Sequence, residues 1–553
     1  MGGACSRKPE RDYEDSPCRG LSRRFCKSGS LKWWTSSFAY PSVDFHLRKG
    51  DCPSLLELCI KKINEDIDRY NTFSMLPRDI SQQIFNKLVC SQRLTSVSLE
   101  AFRDCALQDL DLGEYAGVND SWMDVISSQG SSLLSVDLSG SEVTDFGLSY
   151  LKYCENLLSL NLNYCDQISD HGLECISGLS NLTSLSLRRN DSISAQGMSI
   201  LSGLVNLVKL DLERCPGIHG GLVHIQGLTK LQSLNIKWCN CITDSDMKPL
   251  SGLQKLSLLN LEGCLVTAAC LDSLADLPLL SNLNLNRCNI TDDGCEKFSR
   301  LENLKVLNLG FNDITDACLA HLKVLTKLES LNLDSCRIGD EGLINLAGHR
   351  QLKCLVLSDT EVGDTGLHHL SGLSGLEKIN LSFTVVSDSG LRKLCGLTSL
   401  KSLNLDAHQI TDAGLAALTS LTGLTDLDLF GARITDYGTN YLRKFKNLRS
   451  LEICGGGLTD AGVKNIRALS CLMCLNLSQN CNLTDKSLES ISGLTRLISL
   501  NVSNSRITNS GLQHLRTLKN LRSLTLESCK VTAYDIKKLR STHLPNLVSF
   551  RPE

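Results

Sequence analysis

No apolar run in this 553-residue chain reaches the ~18 residues that a membrane-spanning helix needs, and the N-terminus lacks the apolar core of a secretory signal. An intracellular protein, cytoplasmic with the nucleus left open, is the expectation. Neither sign of charge dominates. With 57 Lys and Arg against 60 Asp and Glu, the net charge of -3 gives no general attraction for nucleic acid. Aromatic residues are few, at 5%, so leucine has to supply the core. Disulfide-framework spacings are absent although there are 26 cysteines, which speaks against a cross-linked secreted scaffold. Catalytic motifs are missing too. His368-His369 has no metal-spaced partner and no Gly-x-Ser-x-Gly elbow nearby. Gly455-Gly456-Gly457 lacks the Lys-Ser/Thr of a phosphate loop, and Cys471-x-x-Cys474 has no second pair at zinc spacing. The expectation is a chain that is not an enzyme and has no cofactor or metal site.

What is present is a period. From Leu400 the chain reads Leu400-x-x-Leu403-x-Leu405, then Ile410-Thr411-Asp412-x-Gly414-Leu415-x-x-Leu418-x-x-Leu421, and the next copy starts 24 residues on, at Leu424. Equivalent leucines stand at Leu304, Leu328, Leu352 and Leu376 before it and at Leu448 and Leu472 after it. Leu403 and Leu405 alternate as in a strand with one buried face, while Leu415, Leu418 and Leu421 fall three apart as in a helical or 3₁₀ return. One copy cannot bury these leucines alone, whereas stacked copies can. The template resembles the cysteine-containing class of leucine-rich repeats. It implies an α/β fold, a horseshoe-shaped solenoid of about 18 repeats over residues 106–553 with an N-terminal helical cap. The central strand residues run from Leu110 and Val136 to Leu500 and Leu524, and strands ~4.8 Å apart make an inner sheet about 80 Å long.

Before the array lie two further segments. The opening Met1-Gly2-Gly3-Ala4-Cys5-Ser6 fits the myristoylation pattern at Gly2, with Cys5 placed for a second, palmitoyl chain. Residues 7–32 carry eight Lys or Arg against four acids, enough to favour an anionic leaflet. Residues 1–50 thus read as a disordered basic tail able to anchor the protein at the inner face of the plasma membrane. The plain alternative is a tail that begins Met-Gly by chance. Residues 51–105 turn helical: Leu55, Cys59 and Ile63, or Leu56, Ile60 and Ile63, fall on one face, and Ile80, Ile84 and Leu88 recur at four-residue steps after Leu76-Pro77.

Leu76-Pro77-x-x-Ile80-x-x-x-Ile84-Phe85-x-x-Leu88 resembles the opening helix of an F-box, the module that holds the adaptor subunit of an SCF ubiquitin ligase. The Val-Cys-x-x-Trp stretch of that module is replaced by Val97-Ser98-Leu99-Glu100-Ala101-Phe102-Arg103-Asp104-Cys105. Ser54-Leu55-x-x-x-Cys59-x-x-x-Ile63 is similar to the BC-box by which receptors grip elongin C. A helical grip followed by leucine-rich repeats is the order seen in substrate receptors of cullin-RING ligases. The resemblance implies that Leu55, Cys59, Leu76, Pro77, Ile80, Ile84, Phe85 and Leu88 meet an adaptor, F-box adaptor or elongin C, while the hollow side of the array holds a target protein. The competing reading is a membrane-anchored signalling scaffold whose helices merely cap the first repeat.

Inside the array, Cys165, Cys215, Cys239, Cys264, Cys288, Cys336 and Cys529, with Asn190, Asn312 and Asn480, occupy the position where a side chain turns inward to satisfy loop backbone. The recurring acid, such as Asp388, Asp412 and Asp436, is expected to cap its own return segment. A polar column between the strand leucines, such as Asn235, Asn308 and Asn380, is expected to bond from rung to rung. Its interruptions cluster: Tyr164, Arg188, Arg189, Glu213, Arg214, Lys237, Trp238, Glu262, Arg287 and Phe311 follow the second strand leucine within seven rungs. Interface hot spots favour Trp, Tyr and Arg, which makes this the candidate surface for a protein partner with acidic or phosphorylated residues. A solvated edge of ordinary charge is the alternative. Phe383 and Phe430 mark a weaker second patch.

Overall fold

The computed structural model describes residues 54–406 and 409–551, which belong to one compact unit, Cys52–Glu553. The lipidation candidates Gly2 and Cys5 and the basic run 7–32 lie outside the described residues. Among the described residues no helix is long and apolar enough to cross a membrane.

Each repeat contributes a strand of three residues whose middle side chain is buried. In Ser402–Asn404 this is Leu403, which pairs in parallel register with Ile379 on one side and Leu427 on the other. Among the described residues nineteen such strands form one open parallel sheet, from Asp109–Asp111 to Ser549–Arg551. All the expected central residues from Leu110 to Leu524 stand mid-strand. The last strand lies beyond that set. There Phe550 takes the leucine position and pairs beside Leu524. The return segments are short, as in Asp412–Ala417 followed by the 3₁₀ turn Leu418–Ser420, and their leucines are buried.

On most rungs a carboxylate joins one rung to the next. Asp388 accepts from the Thr411 N–H at 2.8 Å and from the Thr411 hydroxyl at 2.5 Å. The Thr411 oxygen then accepts from the Ala413 N–H at 3.2 Å, capping the return helix, and Asp412 repeats the whole arrangement on Thr435. The same clip links Asp145 to Ser169, Asp364 to Ser387, Asp436 to Thr459 and Asp485 to Thr508. This corrects the expectation that the acid caps its own segment. That donor is already taken by the preceding Thr or Ser, whereas the N–H and hydroxyl of the following rung stand open to the carboxylate's several lone pairs. Glycine completes the socket. A Cβ on Gly414 would lie 2.3 Å from Asp388 Oδ1, and Gly390, Gly438 and Gly462 face the same conflict. The clip lapses where Ala195, Gly220 and Ala268 replace the acid. In this interval Asp246 reaches back instead, accepting from the Gly220 N–H at 2.7 Å and lying 3.0 Å from His219 Nδ1.

The first edge of the sheet is closed by three helices, α1 (Leu55–Glu65), α2 (Arg78–Cys90) and α3 (Ser96–Glu100). Ser54 and Glu57 form a capping box at the start of α1. From α2, Ile84, Phe85 and Leu88 are fully buried, with Phe85 edge-on to Phe102 at 5.5 Å. Gln82 acts as a substitute strand: its amide donates to the Asp109 carbonyl at 2.6 Å and accepts from the N–H groups of Gln108 and Asp109 at 3.0 and 3.2 Å. Open edge groups are thereby satisfied.

Two predictions follow from the rung contacts. Asp388→Ala leaves the Thr411 donors unpaired and should destabilise the array by about 1–3 kcal/mol in chemical denaturation. Gly414→Ala should cost at least as much. In the double variant the two losses should add to less than their sum, since the missing carboxylate removes the clash; strict additivity would refute the socket. The second concerns Asp428, which faces Glu452 across neighbouring strands. Burial, then the charges of Glu452 and Asp406, push its carboxyl up to about 7. A folded-state value above the unfolded ~3.9 means that the folded state pays for ionising Asp428 at high pH and is relieved as pH falls through about 7. Asp428→Asn should therefore melt higher than the parent at pH 8, with the advantage shrinking through pH 7 to 5. A constant difference across that range would contradict this assignment.

Candidate functional site

The site begins with how each strand ends. The polar residue closing the strand accepts from the N–H two residues on: Asn235 from Lys237 at 3.2 Å, Asn308 from Gly310 at 3.1 Å and Asn380 from Ser382 at 3.0 Å. Turning the chain is thus the shared task of the column. The expected rung-to-rung bonds occur only at some positions, such as Asn235 to Asp211 at 2.9 Å and Asn161 to Asp137 at 2.7 Å.

This turn drives the following residue into the left-handed region. Glycine meets the requirement freely at Gly263 (φ 74°), Gly431 (φ 72°) and Gly455 (φ 74°). Yet the same position holds Tyr164 (φ 57°), Arg189 (φ 52°), Arg214 (φ 59°), Trp238 (φ 58°), Arg287 (φ 54°) and Phe311 (φ 57°). A residue with a Cβ costs roughly 1–2 kcal/mol there. Six of the eight candidate partner residues are therefore large side chains set where glycine is cheapest, on consecutive rungs broken only by Gly263. Phe383 (φ 56°), from the weaker patch, shares the position further along, and Phe430 sits one residue earlier in its rung, half-buried.

The side chains form a ridge. Arg189 lies over the Tyr164 ring at 5.4 Å, and Arg287 lies over the Phe311 ring at 3.8 Å. Between these pairs the Trp238 indole covers Gly263, so close that a Cβ there would meet the ring at 2.4 Å. Tyr164, Arg189, Arg214, Arg287 and Phe311 are exposed. Beside Arg287 and Phe311 opens a hollow of about 410 Å³, whose far side carries Arg337 in an ion pair with Asp313.

The remaining two candidates behave differently. Arg188 donates to Asp211 at 2.6 Å and lies 3.7 Å from Glu213, while Lys237 pairs with Glu262 at 3.1 Å. Burial works against the Arg188 charge, but Asp211 and Glu213 outweigh it and hold its pKa above the ordinary value. These two cations neutralise the acidic floor of the sheet and are withdrawn from the charge available to a partner. Arg189, Arg214 and Arg287 make no ion pair among the described residues.

The inward Cys/Asn position is a backbone contact. Cys239 approaches the Leu212 carbonyl of the previous rung at 3.0 Å, and Asn190 donates to the Leu162 carbonyl at 2.8 Å. Burial pushes the Cys215 thiol up to about 11 and that of Cys288 up to about 12, so both stay protonated. Among the described residues no group of three or more His, Cys, Asp or Glu is placed to hold a metal ion.

The candidate adaptor residues divide between two faces of the cap. Leu55, Cys59, Leu76 and Pro77 are exposed, Ile80 is half-buried, and Ile84, Phe85 and Leu88 belong to the core. The last three are corrected from adaptor contacts to packing residues, because α2 spends that stripe on the first rung. Met75, Leu58 and Val97 are exposed beside the expected positions and carry no sequence signal of their own.

Comparison with known proteins agrees with this architecture. Two leucine-rich-repeat family models match the chain, one at residues 278–338 and 446–507, the other at 153–177, 178–202, 227–251 and 396–418. No curated protein matches it in sequence. Among solved structures, an internalin from Listeria monocytogenes is 25% identical over 56% of this chain and 88% of its own, with a TM-score of 0.44. A leucine-rich-repeat protein of Leptospira interrogans is 20% identical over 82% of this chain and 97% of its own, with a TM-score of 0.39. A plant peptide hormone receptor, solved with its peptide, is 16% identical over 83% of this chain and 79% of its own, with a TM-score of 0.39. With some of its repeats matched by family models and its rungs stacked in one open parallel sheet, the chain folds as a leucine-rich-repeat solenoid, a scaffold suited to protein–protein interaction.

Proposed function

We propose that this protein is a substrate receptor of a cullin-RING ubiquitin ligase, with the cap held by an adaptor and the array holding the target. The observation that carries the reading is the two-sided cap. Its inner face spends Ile84, Phe85 and Leu88 on the array, yet its outer face leaves Met75 90% and Leu55 79% exposed. A piece that served only to close a solenoid needs a polar outer face. Exposed apolar side chains on both α1 and the turn before α2 favour a protein contact over simple closure. Transfer of ubiquitin would belong to other subunits, and this chain would supply proximity. The sequence pattern at Gly2 and Cys5 adds the proposal that lipid chains hold the complex at a membrane surface, checked by whether Gly2→Ala lowers the membrane-bound fraction.

The adaptor reading is tested by pull-down of the full chain from cell lysate. Leu55→Asp on α1 is expected to remove elongin C, and Met75→Asp with Leu76→Asp to remove the F-box adaptor, with melting unchanged because these side chains are exposed. If the parent chain retains neither adaptor, or if all three substitutions together leave retention intact, the ligase reading is lost. Ile84→Asp is unsuitable as the probe, since a charge buried in the cap should unfold it.

A further inference from the structure

We propose that the left-handed ridge is a recognition site for an extended peptide carrying two anionic side chains about four residues apart, with an apolar side chain between them. This deepens the receptor reading and rests on it for the assignment of the array as the target-binding part.

Three observations converge. The first is side-chain size at a fixed backbone position: where other rungs set glycine or a small or polar residue in the left-handed region, as at Gly431, Gly455, Ser335, Asp359 and Asn504, this stretch sets Arg214, Trp238 and Arg287. The second is charge. Arg188 and Lys237 are consumed by Asp211, Glu213 and Glu262, while Arg189, Arg214 and Arg287 are exposed and make no ion pair among the described residues. The third is spacing. Arg214 and Arg287 follow strands three steps apart, about 14 Å at ~4.8 Å per strand, which an extended peptide spans in about four residues. Trp238 and the bare Gly263 lie between them, an apolar saddle with a cation at each end.

The partner is a peptide segment, not a nucleic acid. Between the arginines Glu262 pairs with Lys237, and on the rung of Arg214 itself Asp211 and Glu213 share the single cation Arg188, so a continuous polyanion would have to pass over carboxylates. Discrete anions meet the two ends and avoid the middle. Guanidinium recognises carboxylate and phosphate alike in a bidentate manner, so aspartate, glutamate and phosphoserine share the chemistry.

The test titrates the full-length protein with labelled peptides about twelve residues long, in which two positions four apart flank a central leucine. The flanking positions are glutamate in one set, phosphoserine in the second and lysine in the third; oligouridine of similar length is the fourth probe. We expect the glutamate or phosphoserine set to bind at least about tenfold tighter than both the lysine set and oligouridine, and to weaken with salt. The difference between the first two sets identifies the anion. Arg214→Gly and Arg287→Gly should each weaken that binding about tenfold while the thermal midpoint stays level or rises, because glycine relieves the backbone. A merely structural role would lower the midpoint. Binding by no peptide set, a preference for lysine or oligouridine, or unchanged affinity in the glycine variants would overturn the proposal. Adaptor pull-down is read separately: its failure with peptide binding intact removes the ligase assignment alone, and the reverse removes the ridge alone.

Discussion

The stack depends on a carboxylate that belongs to one rung and is spent on the next. Parallel strands of three residues offer few hydrogen bonds each, and leucine packing is indifferent to small rotations between rungs. The Asp388 contact with the Thr411 N–H and hydroxyl supplies what packing lacks: a directional bond, at fixed spacing, between successive return segments. Glycine two residues beyond the acid fits this contact, because on rungs such as that of Gly414 the oxygen of the previous rung occupies the place of a Cβ, while Cys318 and Ser487 stand there on rungs whose clip is also made. Thr-Asp-x-Gly-Leu is in this sense one device read across two repeats, with threonine receiving the clip and capping its helix, aspartate making the next clip, and glycine leaving room.

The interval in which this device lapses overlaps the ridge. Ala195 and Gly220 replace the acid on the rungs that carry Arg189 and Arg214, and Ala268 does so on the rung of Gly263, whereas the rungs of Trp238 and Arg287 keep Asp244 and Asp292 and their clips. Both departures cost stability, one by omitting a clip and one by placing a Cβ in the left-handed region. The other rungs serve as the reference. Gly431, Gly455, Ser335, Asp359, Asn504 and Ser528 hold the same left-handed position with small or polar residues, so the bulk and charge of Arg189, Arg214, Trp238 and Arg287 are what set the ridge apart.

Much of this was legible in the sequence, and the misses share a cause. Strand positions follow from leucine spacing, since burial of Leu403 or Leu427 depends on the repeat alone, and every expected centre through Leu524 is found mid-strand. Phe550 is less legible because an aromatic residue stands where the other repeats place leucine, valine or isoleucine. The direction of the aspartate contact escaped because a linear pattern shows what lies three residues away and not what lies one repeat away. The ridge residues were found as interruptions of a column, but the left-handed backbone that lines them up on one edge, shared with Ser335, Asp359 and Asn504, is invisible without the structure. Arg188 and Lys237 look as free as Arg189 and Arg214 in sequence, and only the rung pairing sets Asp211 and Glu262 beside the first pair.

The cap illustrates the same limit from the other side. A stripe of Ile80, Ile84 and Leu88 says that one face of α2 is apolar but not which surface it meets, and here Ile84 and Leu88 meet the array. Once that stripe is committed inward, exposed apolar side chains such as Leu55, Leu58, Met75, Leu76 and Val97 are what the cap offers to a partner. Gln82 sharpens the point. Its amide completes the first strand in place of a preceding rung, so α2 is held by three directional bonds as well as by its buried face. A helix fixed in this way keeps its orientation relative to the sheet. Under the receptor proposal that is the physical requirement, because a partner gripped by the cap would stay at a constant place with respect to one held on the array.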